Sequence, residues 1–354
     1  MLRPFWSPFF ICYNEALEDE RERLARDRKP MKEGTKLPPR PYPDWSWSPS
    51  RHHLFQECRR KYYYHYYAAH NGWYLDAPPA ARQAYRLKQM TSLYLVFGEV
   101  VHKMAEETVQ LYHQYGRPME REEMVRRIRF LLNQAYKDSL SIEEWKQQPK
   151  QRTMLQEMYY LGALPEKAQD AIKHRIPILA DRLLDSESLQ HYMHVDNCHL
   201  VELEKLNTMD MGDTCVYVKL DWMYRQAGQY IIVDWKTGQE DERNDVQLRL
   251  YGWYVHENYG IPYDRIEIRT EYLLSGKCKV DQVTEREMEE LVSYAEASMA
   301  KMRSYLADPA ANQPKPMEAF EVTQDERKCR QCAFREMCEG ASSNLFIDEE
   351  TDVG

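Results

Sequence analysis

The spacing of apolar positions along this chain is helical at first and changes near residue 198. From Gly98 to Tyr115, Val101, Met104, Ala105, Thr108 and Tyr112 recur every three or four residues, which is the stripe of an amphipathic helix. A further helical pattern runs from about 119 to 184, with breaks at Pro149 and Pro165. Residues 51–68 are basic and aromatic and also read as helical. After residue 198 the period falls to two. Residues 198–206, 215–224 and 229–236 read as strands, followed by a helix over 244–258, a strand near 264–274 and a helix over 284–306. Strands flanked by helices on both sides predict an α/β core with a helical insertion.

The flanks carry no such pattern. Residues 15–29 mix charges of both signs and read as a solvated arm, and 30–50 are proline-rich and read as a linker. The expected division is arm and linker over 1–50, a helical segment holding Cys58 over 51–97, and a helical part with the insertion over 98–197. The core follows over 198–310, then a cysteine segment over 311–340 and a solvated acidic tail over 341–354. No run approaches the ~18–20 apolar residues of a membrane helix, and Met1 to Ile11 lacks the pattern of a signal peptide. The expectation is a cytoplasmic protein without a membrane span. With 48 basic and 57 acidic residues the net charge is −9, so bulk charge does not attract nucleic acid and any contact needs a local groove.

The most informative stretch is Val216 to Asp221, followed by a turn and Ile231 to Lys236. Alternation places Lys219 and Asp221 on one face, and Ile232, Asp234 and Lys236 on one face of the next strand. A loop over Gln226–Gln229 pairs Arg225 with Tyr230, and hence Asp221 with Asp234. Two opposed carboxylates repel, and a divalent cation between them reverses the sign. Oxygen ligation suits Mg²⁺ or Mn²⁺. Lys236 points at the same spot, where an ammonium can hold a phosphate oxygen or orient water. Gln247 and Tyr251 share a helix face downstream, and His102 lies on the helix upstream.

Taken in order, Gly98-Glu99-Val100-Val101-His102, Lys219-Leu220-Asp221, Val233-Asp234-Trp235-Lys236-Thr237-Gly238 and Gln247-Leu248-Arg249-Leu250-Tyr251 resemble the RecB-type branch of the PD-(D/E)XK nuclease superfamily. Lys219 or a neighbour stands where that family has small residues, a minor departure. The resemblance implies a restriction-endonuclease-like core, a central mixed sheet flanked by helices. It implies His102, Asp221, Asp234 and the Trp235 carbonyl as Mg²⁺ or Mn²⁺ ligands. It implies Lys236 as the catalytic lysine, with Asp221 and Asp234 catalytic through the metal, and Gln247 and Tyr251 as residues that position the scissile strand. Glu202 or Glu204 supports the site; the sequence does not choose between them.

Cys329-x-x-Cys332-x5-Cys338 needs a fourth ligand, for which Cys12, Cys58, Cys198, Cys215 and Cys278 are candidates. Four thiolates bind zinc or an iron–sulfur cluster alike. Cys58, in Leu54-Phe55-x-x-Cys58-Arg59-Arg60-Lys61-Tyr62-Tyr63-Tyr64, resembles the early cysteine of the iron–sulfur subgroup. That subgroup includes AddB-type nuclease domains and CRISPR-associated adaptation nucleases. Arg59 replaces the proline common there. The resemblance implies a [4Fe-4S] cluster on Cys58, Cys329, Cys332 and Cys338, stapling the N- and C-terminal segments across the core. Arg51, Arg59, Arg60, Lys61, Arg327, Lys328, Arg330 and Arg335 would then merge into one basic patch. The Tyr62–Tyr67 run reads as helix packing against the cluster, with base stacking as the alternative.

The expected activity is metal-dependent hydrolysis of DNA, on single strands or duplex ends and more as an exonuclease than an endonuclease. RNA cleavage, and a silent nucleic-acid-binding subunit of a helicase or defence complex, are the alternatives. No Walker A sequence is present, so unwinding would come from a helicase partner. Repair, CRISPR adaptation, phage replication and antiviral defence are all open.

Overall fold

The computed structural model describes residues 40–240 and 244–338. The charged arm over 15–29, Cys12 and the acidic tail over 341–354 lie outside the described residues. Short elements open the described chain: β1 (Ser46–Trp47), α1 (Pro49–Glu57) and α2 (Arg59–Tyr63), the last continued by a π-helical turn over Tyr64–Ala68. Part of the segment expected as linker is therefore structured. Trp47 is fully buried and its indole donates to Ser298 Oγ at 2.8 Å, which fixes the end of that segment. Ser48 caps α1, with Pro49 in its first turn.

Helices fill the stretches read as helical: α3 (Pro79–Lys88), α4 (Leu93–Tyr115), α5 (Arg121–Asp138), α6 (Ile142–Gln147), α7 (Gln156–Leu161), α8 (Glu166–Leu184) and α9 (Glu187–His194), of which α5 to α8 span the expected insertion. Ser92 caps α4, and Gly116, at φ 69°, ends it in the left-handed conformation that favours glycine. Pro165 stands just before α8, and Pro149 lies between α6 and α7, as the breaks predicted.

The sheet region has ten strands among the described residues, not the four predicted. They are β1, β2 (His199–Leu203), β3 (Leu206–Met211), β4 (Thr214–Lys219), β5 (Trp222–Gln226), β6 (Gln229–Lys236), β7 (Ile266–Tyr272), β8 (Lys277–Gln282), β9 (Leu306–Asp308) and β10 (Gln313–Pro314). Five pair in the order β2-β5-β6-β7-β8, with β6 and β7 parallel and the other pairs antiparallel. Helix α10 (Asn244–Tyr259) makes the crossover between the parallel strands, and α11 (Glu285–Arg303) follows β8. Three more strands form a second sheet, β1-β4-β3.

The single strand expected over 215–224 is thus two strands in different sheets, broken at Leu220-Asp221. The strand expected over 198–206 also breaks, at Glu204-Lys205. Both breaks belong to one bent antiparallel ladder: Leu203 pairs with Trp222 on one side and Leu206 with Lys219 on the other. Glu204 and Asp221 therefore face each other across the bend, joined by a hydrogen bond from the Glu204 N–H to the Asp221 carbonyl at 2.9 Å.

Alternation along β6 separates two cores. Ile231, Val233 and Trp235 pack with Trp222, Tyr224 and the apolar stripe of α4. Ile232 packs with Met223, Ile268 and residues of α10 and α11 on the other face. Truncating a fully buried tryptophan such as Trp235 to alanine costs about 3–5 kcal/mol. Mixed α/β architecture, with a sheet flanked by helices, is what the patterning predicted. No helix among the described residues is long and apolar enough to cross a membrane.

Candidate active site

The β5–β6 hairpin sets the acidic row. Ala227 and Gly228 take positive φ values of 49° and 83°, and Gln226 pairs with Gln229 around this two-residue turn. Arg225 pairs with Tyr230 and Trp222 with Val233, which carries Asp221 opposite Asp234, the register the sequence predicted. The bend in the other ladder adds Glu204. Three carboxyl groups, Glu204, Asp221 and Asp234, thus stand in a row across neighbouring strands.

Helix α4 brings His102 against this row. Its Nδ1 lies 3.3 Å from Asp221 Oδ2 and 3.6 Å from Glu204 Oε1. Among the described residues, His102, Glu204 and Asp221 are the one set of three or more such side chains whose donor atoms lie within 4.8 Å of one another. Gly98 permits the approach: a Cβ there would stand 3.3 Å from Thr237 Oγ1, so α4 runs tight against the end of β6. Glu99 and Glu106 of the same helix also lie near the site, and burial raises both carboxyls.

Glu202 and Glu204 separate cleanly. Glu202 is buried and accepts from the Tyr254 hydroxyl at 2.6 Å, from Tyr259 and from Asn207 at 2.8 Å, which braces α10 against β2. Glu204 sits at the bend with φ 49°, a conformation costing roughly 1–2 kcal/mol for a side chain with a Cβ. That twist resets the strand alternation and turns Glu204 into the site. Lys219 pairs with it at 2.5 Å.

Asp234 is 1% exposed, and neither of its oxygens receives an aligned hydrogen bond. Lys236 comes to 2.8 Å from Oδ2, close enough for an ion pair but without hydrogen-bond alignment. Burial and the neighbouring Asp221 lift the Asp234 carboxyl to about 6. Asp221 moves the other way. Burial opposes its charge, but His102, Lys236 and the Trp235 N–H, which donates at 2.9 Å, hold it below the usual carboxylate range. Burial also opposes charging of His102, yet Asp221 and Glu204 push it up to about 10. The imidazolium thus joins Lys219 and Lys236 as a counter-charge to the acidic row. Buried carboxylate oxygens lacking donors, with a histidine beside them, fit a hard divalent cation.

Lys236 Nζ also reaches Gln247 Oε1 at 3.2 Å, and the Gln247 amide donates to the Tyr251 hydroxyl. Burial, with Asp234 and Asp221 nearby, raises Tyr251 well above the ordinary tyrosine range, so it stays a neutral donor. The Trp235 ring stacks on Trp222 in the α4-side core, leaving only its backbone to the site.

The cysteines divide in two groups. Cys58, Cys329, Cys332 and Cys338 line one recess, with Lys61, Lys328 and Arg335. Cys58 Sγ accepts from the Lys61 N–H at 3.5 Å and Cys332 Sγ from the Phe334 N–H at 3.4 Å. Burial pushes the Cys332 thiol up to about 11 and raises Cys329 as well. Cys198, Cys215 and Cys278 lie elsewhere, between α9 and β2, on β4 and on β8. Of the residues expected in a basic patch, Lys61, Lys328 and Arg335 share the recess, but Arg51 does not join them. Arg51 is 2% exposed, caged by Trp45, Tyr62 and Tyr66 and bonded to the Tyr62 hydroxyl and Ser46. Arg60 donates to the Phe320 carbonyl, and Arg335 lies 3.6 Å from the Tyr160 ring centre. Tyr62, Tyr64 and Tyr67 are buried, so these rings pack in the protein interior and are closed to bases.

A family model described as the PD-(D/E)XK nuclease superfamily matches residues 46–339, and the chain belongs to that superfamily. The mixed sheet flanked by helices is accordingly a restriction-endonuclease-like fold, in a family of nucleases that use divalent metals. None of the curated proteins matches the sequence. Twelve chains of solved structures match. The one described as "Crystal structure of SSO0001" is 13% identical, with a TM-score of 0.26 over 73% of this chain and 94% of that one, too weak a likeness to bear on function.

Proposed function

We propose that the protein is a metal-dependent deoxyribonuclease acting on single strands or duplex ends. The observation that carries this reading is the row Glu204, Asp221 and Asp234, met by His102 on one side and Lys236 on the other. His102, Asp221, Asp234 and the Trp235 carbonyl would hold Mg²⁺ or Mn²⁺, with Glu204 as a further carboxylate at the same place. Such an ion lowers the pKa of a water ligand and neutralises charge gathering on the attacked phosphate.

The protein's own residues do the rest. Lys236, held between Asp234 and Gln247, keeps its ammonium aimed at the acidic row, where it orients the attacking water or a phosphate oxygen. Gln247 fixes that lysine and is itself tied to Tyr251. The neutral Tyr251 hydroxyl donates toward the scissile strand. The Asp221 carboxylate, pinned by the Trp235 N–H, cannot rotate away from the ion it would bind.

The cysteine recess supports a second part of the reading, a structural [4Fe-4S] cluster on Cys58, Cys329, Cys332 and Cys338. A tetrahedral zinc with ~2.3 Å bonds draws its sulfurs to within about 4 Å of one another. No three of these sulfurs lie within 4.8 Å of one another, wider than that zinc spacing, so what supports the cluster is that all four thiols line one recess. Association with a helicase or with repair or defence proteins belongs to the same reading.

Digestion of end-labelled single- and double-stranded DNA and RNA with Mg²⁺ or Mn²⁺, after anaerobic purification, tests the proposal. Degradation of DNA from its ends supports it. Cleavage of RNA alone, or of nothing in either metal, overturns it.

A further inference from the structure

Beside the acidic row a groove of about 430 Å³ opens, within the range of volumes that hold a small organic ligand. Gln247, Tyr251 and Lys219 line its inner end; Tyr217, Ser50 and His53 line the rest. The groove is therefore continuous with the residues that face the reaction.

Its wall is the outer face of the three-stranded sheet. Along β4, Val216 and Val218 turn inward to the core while Tyr217 and Lys219 turn outward. The ladder sets Leu206 opposite Lys219 and Thr208 opposite Tyr217. Tyr217 is 42% exposed, and among the described residues it has neither a hydrogen bond nor a ring partner. The fold gains little from an aromatic ring there, since Val216 and Val218 already supply the inward packing. This sets it apart from Tyr62, Tyr64, Tyr67, Tyr251 and Tyr254, all buried.

Charge points to the class of occupant. Lys219 is already committed to Glu204 at 2.5 Å, and no other lysine or arginine lines the groove among the described residues. A surface that follows duplex DNA neutralises many phosphates with such cations. Here the available chemistry is an open aromatic face, a few hydroxyls and one histidine. An aromatic face stacks on a base only when that base is unpaired.

We propose that this groove holds the unpaired nucleotides adjoining the scissile phosphodiester, with Tyr217 stacking on one base. The proposal rests on the nuclease reading of the acidic row and adds to it where the strand runs and how it is gripped. Because few phosphates are neutralised, binding depends only weakly on salt.

The test compares the full-length wild type with Tyr217→Ala and Tyr217→Trp. Binding of a fluorescent oligothymidylate, and of a duplex of equal length, is followed by anisotropy in Ca²⁺ at several salt concentrations. Hydrolysis of bis(p-nitrophenyl) phosphate, a diester too small to fill the groove, is measured in Mn²⁺. Tyr217→Ala is expected to weaken oligothymidylate binding about tenfold, the loss of one stacked base. Tyr217→Trp is expected to retain binding, and both variants to hydrolyse the small diester within twofold of wild type, with unchanged melting temperature. Equal oligothymidylate affinity in Tyr217→Ala and wild type overturns the groove alone. So does an equal loss of small-diester hydrolysis, which would place Tyr217 in the chemistry. If the wild type binds the oligothymidylate in this way but cleaves neither it nor the small diester, the nuclease reading fails while the groove stands.

Discussion

The acidic cleft and the cysteine recess bring together donors of opposite kinds in opposite surroundings. In the cleft, oxygen donors and an imidazole hang from a bent ladder and one long helix, so the framework sets their positions. Burial, and after it the neighbouring Asp221, lifts Asp234 to about 6. In the recess, thiols from the start of α2 and from the far C-terminal segment meet among Lys61, Lys328 and Arg335, with burial raising two of them. Hard cations suit the first and soft thiolate chemistry the second. The consequences of emptying them differ. The cleft's donors hang from strands and a helix that are held by their own backbone hydrogen bonds. The recess joins segments some 270 residues apart in sequence, so its occupant would act as a tie between them.

The largest effect should come from the cleft's charged groups. Asp234→Ala or Lys236→Ala is expected to lower DNA cleavage by on the order of 10³-fold while the fold persists. Steady-state digestion with circular dichroism as control measures it, and wild-type turnover in either variant would remove these residues from the chemistry. Asp234→Asn should be equally inactive yet melt higher than wild type in EDTA at neutral pH, because burial and Asp221 raise its carboxyl above the unfolded value and its charge there opposes folding.

Next is the recess. Cys58→Ser should lose iron, sulfide and visible colour as completely as Cys329→Ser and melt roughly 5–10 °C lower. Cys198→Ser and Cys278→Ser should stay coloured. Stoichiometric zinc without iron in anaerobically purified protein would break the contrast between the two regions. EDTA sharpens it, since chelation should stop cleavage while leaving the colour.

A smaller effect concerns pH. Burial, then nearby Arg59 and His53, lowers His52 to about 4; burial, then Lys88, Lys61 and Arg51, lowers His65 to about 3. Both fold as neutral rings with values below the unfolded 6.5. Their contribution is therefore full above pH 6.5 and is lost as pH falls from 6.5 through those values. His102, raised to about 10, has the opposite sign: its contribution is full below pH 6.5 and fades toward pH 10. Urea midpoints at pH 7 and pH 5 should fall less in His65→Phe than in wild type, and identical slopes would show that His65 charges freely in the fold. The smallest effect should be deletion of 341–354, with activity on naked DNA unchanged; a large loss of activity or solubility would make that tail part of the fold.

Much of the cleft was legible because its residues lie in local patterns. The β5–β6 register followed from the turn, and it alone places Asp221 opposite Asp234. Gln247 and Tyr251 followed from helical spacing, and the tight passage at Gly98 belongs to the same motif as His102. Glu204 was not separable from Glu202. Strand alternation gives them one face, and only the left-handed residue at the sheet bend parts them. Arg51 read as surface charge because basic residues usually are, yet three aromatic rings enclose it. Strands β3 and β8 escaped prediction because their polar, half-exposed patterns resemble loops.

By itself, then, the sequence determined the α/β class, the helical insertion, the acidic hairpin and the residues carrying the family's motifs. Each of these depends on interactions within a few residues or across one turn, where periodicity and backbone geometry suffice. The tertiary structure decided that one predicted strand serves two sheets, that Glu204 rather than Glu202 enters the cleft, and that Cys58 faces the C-terminal cysteines. It also decided that the run of tyrosines is buried while Tyr217 stands open. Those outcomes turn on contacts between distant segments, whose relative placement is fixed only when the two cores pack against the two faces of the sheet.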